Sequence, residues 1–270
     1  MIELKINSIY GSITHYFHFF YGVLLPLTLY HIQTKETNFI LYGDIGPMKS
    51  LIHSLPFLIT LKDETREKKK TLLAMDTFKV KYSGSKFKQV TIKHKRLFCD
   101  FIKSHVPFYI KDISIKPIVF IERGVNNLYK HMTYKGKHPD LERLGKLSGS
   151  ERRYIGNHKI VLDSIEKEYP NKVQNVQLEN TSLYYQYHLF NNAKVIIASH
   201  GAALSNIIFM EEGTHVIEII SKQKKYVEKE ELFSRICERF NIIHHEILVE
   251  KEVDSIDPNM LIEILKRIEI

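Results

Sequence analysis

The chain has 270 residues, 39 of them Lys or Arg and 31 Asp or Glu, a formal net charge of +8. Hydrophobic residues make up 44% and charged residues 26%, which excludes a disordered or collagen-like polymer and leaves one large or two small folded domains. Only Cys99 and Cys237 are present, far apart and without a CxxC or Cys/His cluster, so a disulfide framework is excluded as well.

No basic segment followed by an apolar run opens the sequence. The longest greasy stretch, from Tyr16 to Tyr30, is shorter than the ~20 residues a spanning helix needs and is interrupted by His18, Gly22 and Pro26. A cytoplasmic, reduced protein without a transmembrane segment is expected. Lys68, Lys69, Lys70, Lys86, Lys88, Lys93, Lys95 and Arg96 concentrate positive charge in the first half. No helix-turn-helix, zinc-finger or RNP pattern accompanies them, so no specific nucleic acid is expected, while a phosphorylated small molecule would be drawn by the same field.

Apolar runs and amphipathic stretches alternate along the chain, the signature of an α/β fold. Residues 15–25 have helical spacing, 38–42 and 56–61 read as buried strands, and 95–105 as a helix with a Phe98, Phe101, Ile102 stripe. A polar stretch precedes Pro117, and 118–121 is a continuous apolar run of the parallel-strand kind. Residues 124–149, rich in Lys, Gly, Asn and His, read as a long loop. Then follow helix 150–169, strand 173–178, helix 182–191, strand 194–198, helix 203–210, strand 215–220, helix 228–240, edge strand 242–249 and a closing helix 258–268 begun by Asp257-Pro258.

The most informative segment is Val195-Ile196-Ile197-Ala198-Ser199-His200-Gly201-Ala202-Ala203-Leu204-Ser205-Asn206, a buried strand running into a turn of small residues. Small side chains let backbone amides approach a ligand, and the helix that follows points its N-terminal amides at whatever sits above the strand end. A diphosphate suits that position. GxGxxG and GxxxxGK[ST] are both absent, which argues against a standard dinucleotide site or a P-loop.

This segment resembles the family 61 glycosyltransferases, which include plant xylan-decorating enzymes and animal protein O-linked N-acetylglucosaminyltransferases. His200-Gly201-Ala202-Ala203-Leu204-Ser205-Asn206, with Phe209, Gly213 and Val216-Ile217-Glu218-Ile219 after it, is similar to that family's HGAGLTN...F...G..VIEI block. Gln186 falls where the family has its helix glutamine. Arg123 and Arg153-Tyr154-Ile155-Gly156-Asn157 look like its paired arginine and R-x-I-x-N elements. His18-Phe19 to Pro26-Leu27 is similar to its H-F-x-x-D-x-L-x-P-L helix, with Gly22 in place of an acidic residue.

The resemblance implies a GT-B arrangement of two Rossmann-like lobes facing across a cleft. Residues 1–113 would form an acceptor-side lobe and 114–255 the nucleotide-sugar-binding lobe, with 256–270 a closing helix packing back on the first. It also implies an inverting transfer of a sugar such as xylose or N-acetylglucosamine from a UDP-sugar to a hydroxyl of a glycan or glycoprotein. The alternative is a nucleotide-sugar- or glycan-binding protein derived from such a transferase.

Each chemical need of that reaction has a candidate. The leaving diphosphate calls for preplaced amides and cations, offered by Gly201, Ala202 and Ala203 at the helix start, and by Arg153 and Arg123. The acceptor proton calls for a base, for which His18 is the candidate, against the alternative of a semi-buried structural histidine. His200 either donates to a phosphate or ribose oxygen or fixes the turn through backbone bonds. Glu218 on an apolar strand needs a partner, a ribose hydroxyl or Arg153. Asn157 and Asn206 are nucleotide donors or helix caps. No D-x-D motif occurs, so metal-independent transfer without a cofactor is expected. His15 with His18, and His244 with His245, lack a third metal ligand nearby in sequence.

Overall fold

Among the described residues nine short segments are strands, and β-branched residues are densest in the buried ones. A computed structural model describes residues 1–5, 16–43, 45–62, 70–71, 90–123, 154–227, 231–251 and 254–270. The first sheet is built by β1 (Ile2–Lys5), β2 (Asn38–Tyr42), β3 (Leu58–Lys62) and β4 (Lys70–Thr71) in the order β3-β2-β1-β4. The second contains β5 (Ile118–Glu122), β6 (Val173–Gln177), β7 (Val195–Ser199), β8 (His215–Ser221) and β9 (Ile243–Val249) in the order β6-β5-β7-β8-β9. Every pairing in both is parallel. Strands 38–42, 118–121, 194–198 and 215–220 thus stand where the apolar runs put them.

Parallel strands need cover on both faces, and β7, buried throughout, has it. Alternate side chains go to opposite sides. Ile197, Ile217, Ile219 and Ile247 pack with Val161 and Ile165 of α6 (His158–Glu168) and with Leu261 and Leu265 of α9 (Pro258–Lys266). Ile196, Ala198 and Val216 join the other core. That core also holds Leu4 and Phe39 of the first sheet and Phe233, Ile236 and Cys237 of α8 (Leu232–Arg239). The closing helix therefore lies on the second sheet's own layer, against α6 and β9, which corrects the expectation that it returns to the first lobe.

The N-terminal helical run begins as α1 (Tyr16–Phe19), widens into a π turn over Phe20–Leu24 and continues as α2 (Leu25–Thr34). Pro26 has no N–H for the carbonyl four residues back, and the Leu25 N–H reaches Phe20 O instead, so the extra residue is absorbed just ahead of the proline. After α3 (Lys49–His53), α4 (Ile92–Ser104) starts at a Thr91–His94 capping box and ties the two halves together. Its Cys99 Sγ donates to Ile208 O at 3.2 Å and its Lys95 Nζ to Met210 O at 2.6 Å. Short α5 (Phe108–Lys111) and α7 (Leu183–Asn192), capped by Ser182, are the remaining α-helices among the described residues.

The helix expected over 203–210 is instead a 3-10 helix, Ala202–Phe209. Every residue from Leu204 to Phe209 is buried, so packing on both sides sets its geometry and residue preference does not. The loop expected over 124–149, the start of the helix expected at 150 and Arg153 lie outside the described residues.

Candidate functional site

In the second sheet the chain runs β5, β6, then crosses to β7 on the other side of β5. The order reverses between β5 and β7, and open α/β sheets open a ligand crevice at the carboxyl ends of such a pair. Arg123 follows the end of β5, and His200-Gly201 follows the end of β7. The two ends are joined: Arg123 Nη2 donates to His200 O at 2.8 Å. A β-carbon on Gly201 would fall 1.6 Å from that nitrogen, so the missing side chain is what lets the guanidinium lie across the turn.

His200 is held from its other side. Its Nδ1 lies 2.5 Å from Glu218 Oε1, and the second carboxylate oxygen, Oε2, lies 2.9 Å from His244 Nε2. Glu218 is 3% exposed. Burial pushes its pKa up, but hydrogen bonds and charge from His200 and His244 more than offset that and hold it down at about 2. A carboxylate that stays ionised accepts only, so both imidazole nitrogens facing it carry protons. His244 reaches Glu218 because β8 and β9 run in register, Val216 beside His244 and Glu218 beside Glu246, placing all three side chains on one face.

A small, partly open crevice lies at the same strand ends, lined by Ser199, His200, Ser221, Lys224, Tyr154 and Asp254. Lys224 gives it a cation and Tyr154 an exposed aromatic ring, while Arg123 reaches the His200 carbonyl beside it.

The sequence profile of the glycosyltransferase 61 family matches residues 16–217 of the chain, three quarters of its length. The chain belongs to glycosyltransferase family 61. No curated protein sequence matches closely enough to serve as a named relative. The matched segment includes α1, Arg123 and the His200-Gly201 turn, and it stops one residue before Glu218.

Several residues of this family 61 chain are engaged in ways the sequence did not indicate. Asn157, expected at a nucleotide or as a helix cap, stands at the N-cap position of α6 without a side-chain cap bond: its Nδ2 donates to Ile256 O at 2.8 Å and its Oδ1 accepts from Ile256 N at 3.0 Å. Asn206 lies in the middle of the 3-10 helix and joins a buried network, with Nδ2 donating to Gln186 Oε1 at 3.0 Å. Tyr16 Oη stands 2.7 Å from both Asn206 Oδ1 and Gln186 Oε1. Among the described residues Glu218 has two histidines, His200 and His244, as partners. Ala202 and Ala203, half-buried, open the 3-10 helix beside Gly201.

His18 is half-buried on α1, with Phe17 edge-on to its ring at 5.6 Å. Phe17 in turn meets Phe233 at 6.1 Å, and Phe233 meets His200 at 5.3 Å, so two phenyl rings stand between the two histidines. Gly22 is buried inside the π turn and supplies no carboxylate there.

His244, read from sequence only as half of a His244–His245 pair, has acidic neighbours after all. Glu218, His244 and Glu246 bring ligand atoms within 4.8 Å of one another, which corrects the expectation of no third ligand. Two of those atoms are already engaged, Glu218 Oε2 by His244 and Glu246 Oε1 by Lys225 Nζ at 2.5 Å, so a divalent ion would have to displace an ammonium. His245 points to the opposite face and stacks on His215, 3.0 Å between nitrogens. Among the described residues no helix is long and apolar enough to cross a membrane.

Proposed function

We propose that this family 61 chain is an inverting transferase of the GT-B type that moves a sugar such as xylose or N-acetylglucosamine from a UDP-sugar to a hydroxyl of a glycan or glycoprotein. The observation that carries the reading is the Arg123 guanidinium lying across the His200-Gly201 turn at the switch point of the second sheet. Negative charge grows on the diphosphate as the anomeric bond breaks, and a cation already fixed there stabilises the transition state without reorganising. Arg153 is proposed beside it on the sequence resemblance alone.

The acceptor oxygen attacks the anomeric carbon, its proton passes to a base, for which His18 is proposed on the sequence resemblance alone, and the electron pair of the breaking bond leaves with UDP. Transfer without a metal is proposed because no D-x-D motif is present. To test the reading, the purified chain is incubated with a panel of UDP-sugars, with and without EDTA, and UDP release and UDP binding are followed. Turnover with at least one donor, undiminished by EDTA, is expected; silence from every nucleotide removes the reading. Arg123→Ala should weaken UDP binding by roughly ten- to a hundredfold, the cost of a hydrogen bond to a charged group.

Gly22 favours a second reading, a donor-binding protein without turnover, since the π turn carries no carboxylate where the family resemblance has an acidic residue. UDP binding with no transfer to any acceptor selects it.

A further inference from the structure

We propose that Glu218 and His244 are positioning residues for His200: Glu218 accepts a hydrogen bond from His200 Nδ1 and so sets the plane and tautomer of the ring, and His244, bonded to the second carboxylate oxygen, keeps Glu218 aimed. The proposal rests on the reading of the His200-Gly201 turn as the donor site. It adds a residue, His244, that lies beyond the segment matched by the family profile and that the sequence analysis treated only as a metal candidate.

Three observations converge. The contacts are short and two-sided, 2.5 Å from His200 Nδ1 to Glu218 Oε1 and 2.9 Å from His244 Nε2 to Glu218 Oε2, within a group almost wholly removed from solvent. Stability alone is a poor explanation, because a buried carboxylate with ionic partners is often no better than an apolar group of the same shape. Finally, the three residues come from successive elements of one sheet: the turn after β7, then β8, then β9. Only His200 stands at the switch point, where its backbone also receives Arg123.

A carboxylate has no proton to give, so Nδ1 of His200 must be the protonated nitrogen and Nε2 the one whose state changes when the ring gains a proton. Without Glu218 the ring could take either tautomer and rotate. Without His244, one oxygen of Glu218 would lose its donor inside the core, and the carboxylate could turn away from His200 or towards Lys225, whose ammonium sits on Glu246. Cys237, from α8, also faces Glu218; its thiol is buried, and the charge of Glu218 favours its neutral form.

The test reads the tautomer directly. The full chain, labelled with ¹⁵N-histidine, is observed by long-range ¹H–¹⁵N correlation, with His200 assigned from the peak missing in His200→Asn. A protonated Nδ1 on His200 is expected, and an Nε2–H tautomer with bare Nδ1 overturns the proposal whether or not UDP binds. UDP affinity is then measured on His244→Leu and His244→Gln. His244→Leu should weaken UDP about tenfold, as for the loss of one hydrogen bond to a charged group, and mix the His200 tautomers. His244→Gln, which keeps an N–H donor at the same reach, should recover most of both. Wild-type UDP affinity and an unmixed tautomer in His244→Leu overturn the proposal. Should that variant fail to fold, the wild-type tautomer and His244→Gln decide. If the wild-type chain binds no UDP, the donor-site reading falls and the tautomer spectra alone judge the His200 positioning.

Discussion

Arg123 occupies the space that a side chain on Gly201 would need: its Nη2 is 1.6 Å from where the β-carbon would be and 2.8 Å from the carbonyl of His200. Gly201 has φ 159° and ψ −170°, a conformation that only glycine adopts readily, so Gly201→Ala both moves the guanidinium and strains the backbone. The variant should melt below wild type, since a non-glycine residue in this conformation costs about 1 to 3 kcal/mol, and UDP affinity should drop by roughly tenfold or more, as for a lost hydrogen bond to a charged group. The double variant with Arg123→Ala should then be little worse than either single one, because both remove the same cation. Additive losses would show that Gly201 serves the site independently of Arg123.

Glu218 links the site to acid stability. Its pKa is held at about 2, below the 4.5 of a free glutamate, because the two histidines outweigh the cost of burial. A carboxyl with a depressed folded pKa adds stability that is fully present above its unfolded value and is lost as pH falls from there towards the folded one. Denaturant melts of wild type and Glu218→Gln, run from near neutral pH down to about pH 3, should therefore converge as the medium becomes more acid than the ordinary carboxylate range. A constant gap between the two through that range would mean that Glu218 is not held ionised by its neighbours.

Tyr16 provides a different kind of check, since its hydroxyl stands 2.7 Å from the side-chain oxygens of both Asn206 and Gln186 and joins the N-terminal helix to the 3-10 helix that follows the His200 turn. Burial pushes the phenol well above its usual pKa, so it remains a donor at any working pH. Tyr16→Phe keeps the ring and removes that donor from a network with no exposed member to replace it. The expected loss is about 1 to 3 kcal/mol of stability, seen as a lower denaturant midpoint with unchanged slope. An unchanged midpoint would indicate that water takes the hydroxyl's place.

What could be read from the sequence is what packing imposes locally. Strands β5, β7 and β8 are buried on both faces, so they appear as unbroken apolar runs, and the small residues after Ser199 mark the turn that Arg123 crosses. What could not be read depends on partners distant in the chain. Nothing local distinguishes a 3-10 from an α-helix over Ala202–Phe209 when both faces are buried, and Asn206 finds its partner 190 residues away in Tyr16. His244 joins Glu218 only through the register of β8 and β9, although the alternation His244-x-Glu246 was a visible hint that two polar groups share one strand face. The side of the sheet chosen by the closing helix is likewise a tertiary fact.

Asn157 holds a distant segment of the chain through its side-chain amide, and that contact leads to a prediction. Both ends of its amide bond the backbone of Ile256, at 2.8 and 3.0 Å, while Gly156 N donates to Asp254 O at 2.8 Å beside the Ile155–Asp254 bridge. These bonds fasten the segment carrying Asp254 to the one carrying Tyr154, two edges of the crevice. Asn157→Ala removes two of them and should cost about 1 to 3 kcal/mol, with faster amide hydrogen exchange confined to residues around Ile256. UDP affinity should fall less than for Arg123→Ala, because the amide acts on the shape of the wall and has no hand on the diphosphate. A larger loss of UDP than of stability would return Asn157 to the nucleotide.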